Sequence, residues 1–235
     1  MVYAVLISVS VIAILVIFLV WSCASVSSGI WVRTLCRELR KGKSVLTFDD
    51  GPDPVTTPLI LDILERYGVK ACFFVIGSRA EQNPDLVRRI AECGHTIGNH
   101  TYSHSSLFPL SGVPVIVSDI RACDSAVKAA LDGLPSVSSS SSLYFRPPFG
   151  VTNPDIARAL KKTGHTAVGW SVRSLDTVII RDSLPEDKVA AAVARCSGRV
   201  IRKLRPGSVV LLHDRLKYSP RLLESILERS ADSFR

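Results

Sequence analysis

Apolar positions split the chain into an unbroken leading run and a periodic remainder. Val2 to Val20 holds no charged residue and is almost continuous in Val, Ile, Leu, Ala and Phe, with Trp21 closing it. About 20 apolar residues span a bilayer core as a helix, so residues 1–28 are expected to form a transmembrane anchor. A cleaved signal peptide is the alternative. The run is long for that role, and no Lys or Arg precedes it. Bulky Trp21 just before Ser22-Cys23 makes a poor lipoprotein site. Residues 29–43 then read as a basic linker, and residues 44–235 as one domain.

Within that domain one unit recurs. Thr57-Pro58 can open a helix, with threonine as cap and proline at the first turn. Leu59, Ile60, Ile63, Leu64 and Tyr67 form its apolar stripe, and Gly68 suits its end. Cys72-Phe73-Phe74-Val75-Ile76 follows as a buried strand. Asn83-Pro84 and Asn153-Pro154 open similar helices that end at Gly94 and Gly164, before strands at His95–Gly98 and Ala167–Trp170. A longer helix from about Pro185 to Leu204 precedes the strand Ser208–Leu212. Strands alternating with helices predict a parallel sheet in an α/β fold. Six or seven such units fit a shortened β/α barrel. A doubly wound sheet is the competing arrangement, but no glycine-rich phosphate loop follows the first strand. The serine run Ser138 to Ser142 is expected to be a flexible surface insertion.

Composition changes this picture only at the membrane. The 235 residues carry a formal net charge of +8, and Arg33, Arg37, Arg40, Lys41 and Lys43 all follow the apolar run. That bias favours a cytoplasmic domain. The cysteines show neither a disulfide framework nor a Cys-x-x-Cys metal site. No nucleic-acid motif accompanies the basic residues, and a monomer is expected.

Chemistry-bearing residues gather where the strands should end, which in β/α barrels is where active sites are built. Asp49 and Asp50 follow the first strand, His100 and His104 follow Thr96-Ile97, and Arg146 follows Leu143–Phe145. Asp176 follows the Trp170 strand and His213 follows Leu211-Leu212. Each alone is ordinary turn or surface chemistry. Converging on one mouth, two imidazoles and one carboxylate would make a three-ligand metal site with an open position. Zinc suits it, and cobalt, nickel or manganese could occupy it. The second of the adjacent acids would then remain free as a base. Asp49 and His213 are the candidates for base and acid, with Arg146 and Asp176 tuning them.

Five segments in this order resemble the polysaccharide deacetylase family, also called the NodB-homology or carbohydrate esterase family 4 domain. They are Thr47-Phe48-Asp49-Asp50-Gly51-Pro52, His100-Thr101-Tyr102-Ser103-His104, Arg146-Pro147-Pro148-Phe149-Gly150, Trp170 to Asp176, and Leu211-Leu212-His213-Asp214. The resemblance implies a distorted, shortened β/α barrel and removal of N-acetyl groups from an N-acetylglucosamine-type polysaccharide. It further implies that Asp49 is the base, His213 the acid, and Asp50, His100 and His104 the ligands of a divalent metal. Arg146 would hold Asp49, with Asp176 balancing that group. The Phe149 amide would stabilise the oxyanion, Leu211 would line the acetyl pocket, and Trp170 would supply an aromatic wall. The chain departs from the pattern at Ser171, where an Asp is frequent, and at Thr177, where a Trp is frequent. An O-acetyl esterase and a non-catalytic carbohydrate-binding membrane protein are the competing readings. The resemblance favours a domain outside the cytoplasm, against the charge bias.

Overall fold

The structure, a computed structural model, describes residues 1–134 and 141–235. Most of the serine run lies outside the described residues, and Ser141 opens a strand. The leading apolar run forms α1 (Val2–Ala24), and every described residue from Met1 to Trp21 is exposed. This helix is long and apolar enough to cross a membrane.

The rest is a single parallel sheet wrapped by helices. Its strands are β1 (Thr34–Leu35), β2 (Val45–Asp49), β3 (Cys72–Val75), β4 (Thr96–Asn99), β5 (Ser141–Phe145), β6 (Thr166–Val168), β7 (Val172–Arg173) and β8 (Val209–His213). They lie in the order β1-β6-β5-β4-β3-β2-β8-β7. The sheet is strongly curled. Val168 of β6 clusters with Val45 of β2 and Val209 of β8, although three strands separate β6 from β2 in the sheet. They can meet only across a concave interior.

Period-two alternation then sorts every strand. Leu46, Phe48, Phe73, Val75, Val210 and Leu212 face outward into the main apolar layer against the helices. Val45, Cys72, Phe74 and Val209 face inward. The outward layer receives α2 (Thr56–Arg66), α3 (Gly77–Gln82), α4 (Pro84–Glu92), α8 (Glu186–Lys203) and α9 (Ser219–Ser230), while α5 (Val113–Leu131) and α6 (Pro154–Thr163) cover the β5–β6 side. A short α7 (Asp176–Ile179) follows β7. Burying one Leu or Phe from this layer contributes about 1.5–3 kcal/mol, so the outward face supplies much of the stability and frees the inward face for chemistry.

Three expectations are modified. The segment read as a linker supplies the edge strand β1, which pairs with Ala167 and Val168 of β6, and Glu38 N–H donates to Gly207 O at 2.8 Å. Helix α2 starts at Thr56, so Thr57 lies inside it and donates to Asp214 rather than capping it, while Asp53 Oδ1 accepts from the amides of Val55 and Thr56 at its start. Helix α5, 19 residues long, has no counterpart among the units read from the sequence. Helix α6 follows its signals, with Asn153 Oδ1 accepting from Ile156 N–H and Gly164 in the left-handed region.

Candidate active site

The inward register of the strands delivers the site. Val45, Thr47 and Asp49 alternate into the interior of β2, so Asp49 arrives at its C-terminal rim. By strict alternation Asp50 would face away. It sits instead at φ 73°, which turns a second carboxylate toward the same mouth. Thr101, His104, Phe149 and Leu175 also have positive φ, and all lie on loops at strand ends. Non-glycine residues held there cost on the order of 1–3 kcal/mol each and cluster at functional sites. The hydrogen bonds that hold the β4 loop are explicit. Asn99 Oδ1 accepts from Thr101 N–H, Thr101 Oγ1 accepts from His104 N–H, and Asp119 of α5 accepts from the amides of Tyr102 and Ser103.

His100 and His104 thereby face one oxygen. Their Nε2 atoms lie 3.5 and 3.4 Å from Asp50 Oδ1, and donor atoms of the three residues lie within 4.8 Å of one another. An ion bound tetrahedrally at about 2.0–2.2 Å separates its ligand atoms by about 3.4 Å, so this donor set fits a divalent cation. His100 Nδ1 donates to Arg146 O at 2.7 Å, which turns the Nε2 lone pair to the cation position. Burial alone would raise the Asp50 carboxyl, but His100, His213 and the Arg215 guanidinium hold it well below the usual carboxylate range.

Asp49 is fixed from the other side. Arg146, fully buried, donates from Nη1 to Asp49 Oδ1 and to Thr47 Oγ1, each at 2.7 Å. Its Nε and Nη2 donate to Val168 O and Gly169 O, and its guanidinium lies 4.1 Å over the Phe74 ring. Asp49 Oδ2 stays 3.8 Å from His100 Nε2, turned to the triad.

Of the two groups that Asp176 was expected to tune, it meets His213 and not the Arg146–Asp49 pair. Asp176 Oδ1 accepts from His213 Nδ1 at 3.0 Å, and Oδ2 accepts from His213 N–H at 2.9 Å. The cause is register, since β7 pairs with β8 rather than with β6. Burial would lower the His213 pKa. The Asp176 charge and hydrogen bond, with the charges of Asp49 and Asp50, instead raise it to about 9.

The pocket candidates sit around these groups. The Phe149 ring packs edge-on to His104 at 5.0 Å. Trp170 lies 5.7 Å from the Arg146 guanidinium and against Gly150, where a Cβ would fall 2.5 Å from its ring. Leu211, on the inward face of β8, is buried. Ser171 faces away from the mouth, exchanging hydrogen bonds with the Val209 backbone.

Two partners escaped the sequence. Arg215 Nε donates to Asp50 Oδ2 at 2.8 Å. Asp214 is buried beneath the Asp50 loop, its Oδ2 accepting from Thr57 Oγ1 at 2.8 Å and its Oδ1 without a partner among the described residues. Burial, with Asp50 and Asp53 nearby, pushes its carboxyl up to about 7. Gly51 makes this contact feasible, because a Cβ there would lie 1.9 Å from Asp214 Oδ2. Asp214 closes the Leu211-Leu212-His213-Asp214 segment but was given no role there, and Arg215 had no signal.

The chain is similar to known proteins. A sequence profile described as "Polysaccharide deacetylase" matches residues 37–168. A chitooligosaccharide deacetylase of Bradyrhizobium is 36% identical over 169 residues, covering 72% of this chain and 69% of its own. A peptidoglycan-N-acetylglucosamine deacetylase of Bacillus cereus is 34% identical over 171 residues, covering 72% and 71%. A family 4 carbohydrate esterase from Streptomyces lividans, solved in complex with acetate, superposes with a TM-score of 0.64 at 31% identity, covering 81% of this chain and 88% of its own. The curled parallel barrel, the Asp-His-His donor set and these matches lead to one conclusion: the chain belongs to the polysaccharide deacetylase family.

Proposed function

We propose that this chain is a metal-dependent N-deacetylase that removes acetyl groups from an N-acetylglucosamine-containing glycan and releases acetate. The observation that carries the reading is the pairing around the triad. On one side a carboxylate is held by a buried arginine, and on the other an imidazole is held by a buried carboxylate. Amide hydrolysis needs both a base for water and an acid for the departing amine. The names of the relatives support the amide and the sugar.

Asp50, His100 and His104 would hold the cation. A divalent cation there supplies Lewis-acid polarisation of the acetyl carbonyl and lowers the pKa of water from about 15.7 to about 7. Asp49, oriented by Arg146, takes the proton of the attacking water on its free Oδ2. The Phe149 amide donates to the developing oxyanion, and Leu211 and Trp170 border the acetyl group. His213, protonated at neutral pH and held through Nδ1 by Asp176, donates from Nε2 to the leaving nitrogen.

Helix α1 is read as a retained membrane span, with the catalytic domain outside the cytoplasm. Protease accessibility on intact cells tests that placement, and protection until lysis would refute it. For the chemistry, purified protein is stripped with chelator and reloaded with zinc, cobalt, nickel or manganese. Acetate release is then measured on chitooligosaccharide, peptidoglycan and acetylated xylan. Release from the first two, only with metal, is expected. Binding of chitooligosaccharide without acetate release under any metal would sink the enzyme reading. The variant His213→Ala should lose more activity on amides than on esters, since an alcohol leaves with less help.

A further inference from the structure

Helix α1 does not hang from a loose tether. Its last turn is built into the mouth of the barrel. Thr152 N–H donates to Cys23 O at 2.9 Å, Trp31 Nε1 donates to Ser22 Oγ at 3.0 Å, and buried Val26 lies against Gly169. Thr152 and Gly169 both follow strand ends, so the helix leaves from the face that carries the site. Thr152 is three residues from Phe149, whose ring touches His104. Three residues reach at most about 11 Å, which puts the end of α1 within roughly 20 Å of the triad.

The apolar surface points the same way. Outside α1, the exposed large hydrophobic residues among the described residues are Ile30, Leu143 and a set that follows strand ends. That set is Val55 and Leu59 after β2, Leu107, Leu110 and Val115 after β4, Phe149 after β5, and Val178 after β7. Every one lies on a loop or first helical turn following a strand. Exposed apolar side chains taken singly are ordinary; here seven of them share the strand-end side from which α1 leaves. The 23 residues of α1 extend about 34 Å, against a hydrocarbon core of about 30 Å. A helix of that length would end at headgroup level when it spans the bilayer.

We infer that the mouth of the barrel rests on the bilayer and that the substrate is an N-acetyl amino sugar carried on a lipid, presented at the headgroups. The inference rests on the deacetylase reading for its chemistry and on α1 being retained for its geometry. The apolar rim seats in the interface, and the sugar enters from the membrane side.

The test uses the full chain in phosphatidylcholine–phosphatidylglycerol vesicles. One probe is a long-chain alkyl N-acetylglucosaminide embedded in the same vesicles, and the other is soluble chitotetraose. A Gly/Ser spacer of about 15 residues, placed between Trp21 and Ser22, adds roughly 20 Å of reach without touching the Cys23–Thr152 contact. Acetate release from the embedded glycolipid should fall about tenfold or more with the spacer, while chitotetraose turnover stays within about twofold. The double variant Leu107→Ser/Leu110→Ser should give the same split. Hydrogen exchange supplies a readout independent of turnover: amides of residues 105–111 should exchange more slowly in the vesicle-bound wild type than in the spacer variant. Equal effects on both substrates, or no change in their ratio, would overturn the inference. Should neither probe release acetate, the deacetylase reading fails, and unprotected amides in 105–111 would overturn the membrane seating separately.

Discussion

Two ion pairs flank the triad and use charge in opposite senses. In Arg146–Asp49 a fully buried cation with all three guanidinium nitrogens hydrogen-bonded holds an anion, and its surroundings are the apolar interior of the barrel. In Asp176–His213 a buried anion holds an imidazole that is partly open to the mouth. The first pair is part of the floor and the second part of the rim. A group that must accept a proton is best fixed by a permanent cation, while a group that must donate one is best kept charged by a permanent anion. The difference also predicts where damage will appear, in the fold for the first pair and in the pH profile for the second.

The strongest way to break this comparison is Arg146→Met. Removing one partner of a buried pair leaves an uncompensated charge and costs about 3–5 kcal/mol, so urea unfolding should shift to much lower denaturant and acetate release should collapse with it. Wild-type stability in this variant would show that Arg146 is not the strut described. Asp49→Asn keeps a hydrogen-bond acceptor for Arg146 Nη1 but removes its counter-charge, so unfolding should also shift to lower urea, by less than in Arg146→Met. Turnover should fall about 10²–10⁴-fold, more than the stability loss explains, with metal binding by calorimetry largely intact.

Asp176→Asn acts on the rim pair. The His213 pKa, raised to about 9, should return toward the ordinary value of about 6.5. A required acid is active below its pKa, so the alkaline limb of kcat/KM should move down toward neutrality while activity at pH 6 is largely kept. The stability sign agrees. A raised histidine pKa contributes stability fully below about 6.5 that is lost as pH rises through about 9, and the variant should lose that dependence. An unmoved alkaline limb would detach Asp176 from the acid. The smallest effect is expected at Arg158–Asp155, an exposed i,i+3 pair. Arg158→Ala should change stability by about 0.5 kcal/mol or less, which calibrates the buried pairs against a solvated one.

Much of the scaffold was legible because its signals are local. Pro154 with Asn153 and Gly164 bracketed α6, and Cys72–Val75 stood out as a buried strand. Helix α5 carries local signals as regular as those of α6, with Pro114 in its first turn, Ile116, Ile120, Cys123 and Val127 at helical spacing and Gly133 at positive φ after it, so it was legible and was missed. Its consequence is functional, since Asp119 pins the His100–His104 loop. The β1 edge was missed because two residues carry no periodicity. Arg215 was missed because nothing in a sequence says which carboxylate an arginine will meet.

The sequence by itself determined the leading apolar helix, the alternation of strands and helices, and the residue types able to bind a cation and move protons. These follow from hydrophobic period, capping chemistry and side-chain identity, which are properties of neighbouring residues. Only the tertiary structure decided that Asp176 serves His213 rather than Arg146, and that Asp50 turns inward beside Asp49 through a positive φ. It also decided that the leading helix joins the barrel at its mouth. Each of these depends on which strands pair and how the sheet curls, and contacts at separations of 37 or 97 residues leave no local pattern to read.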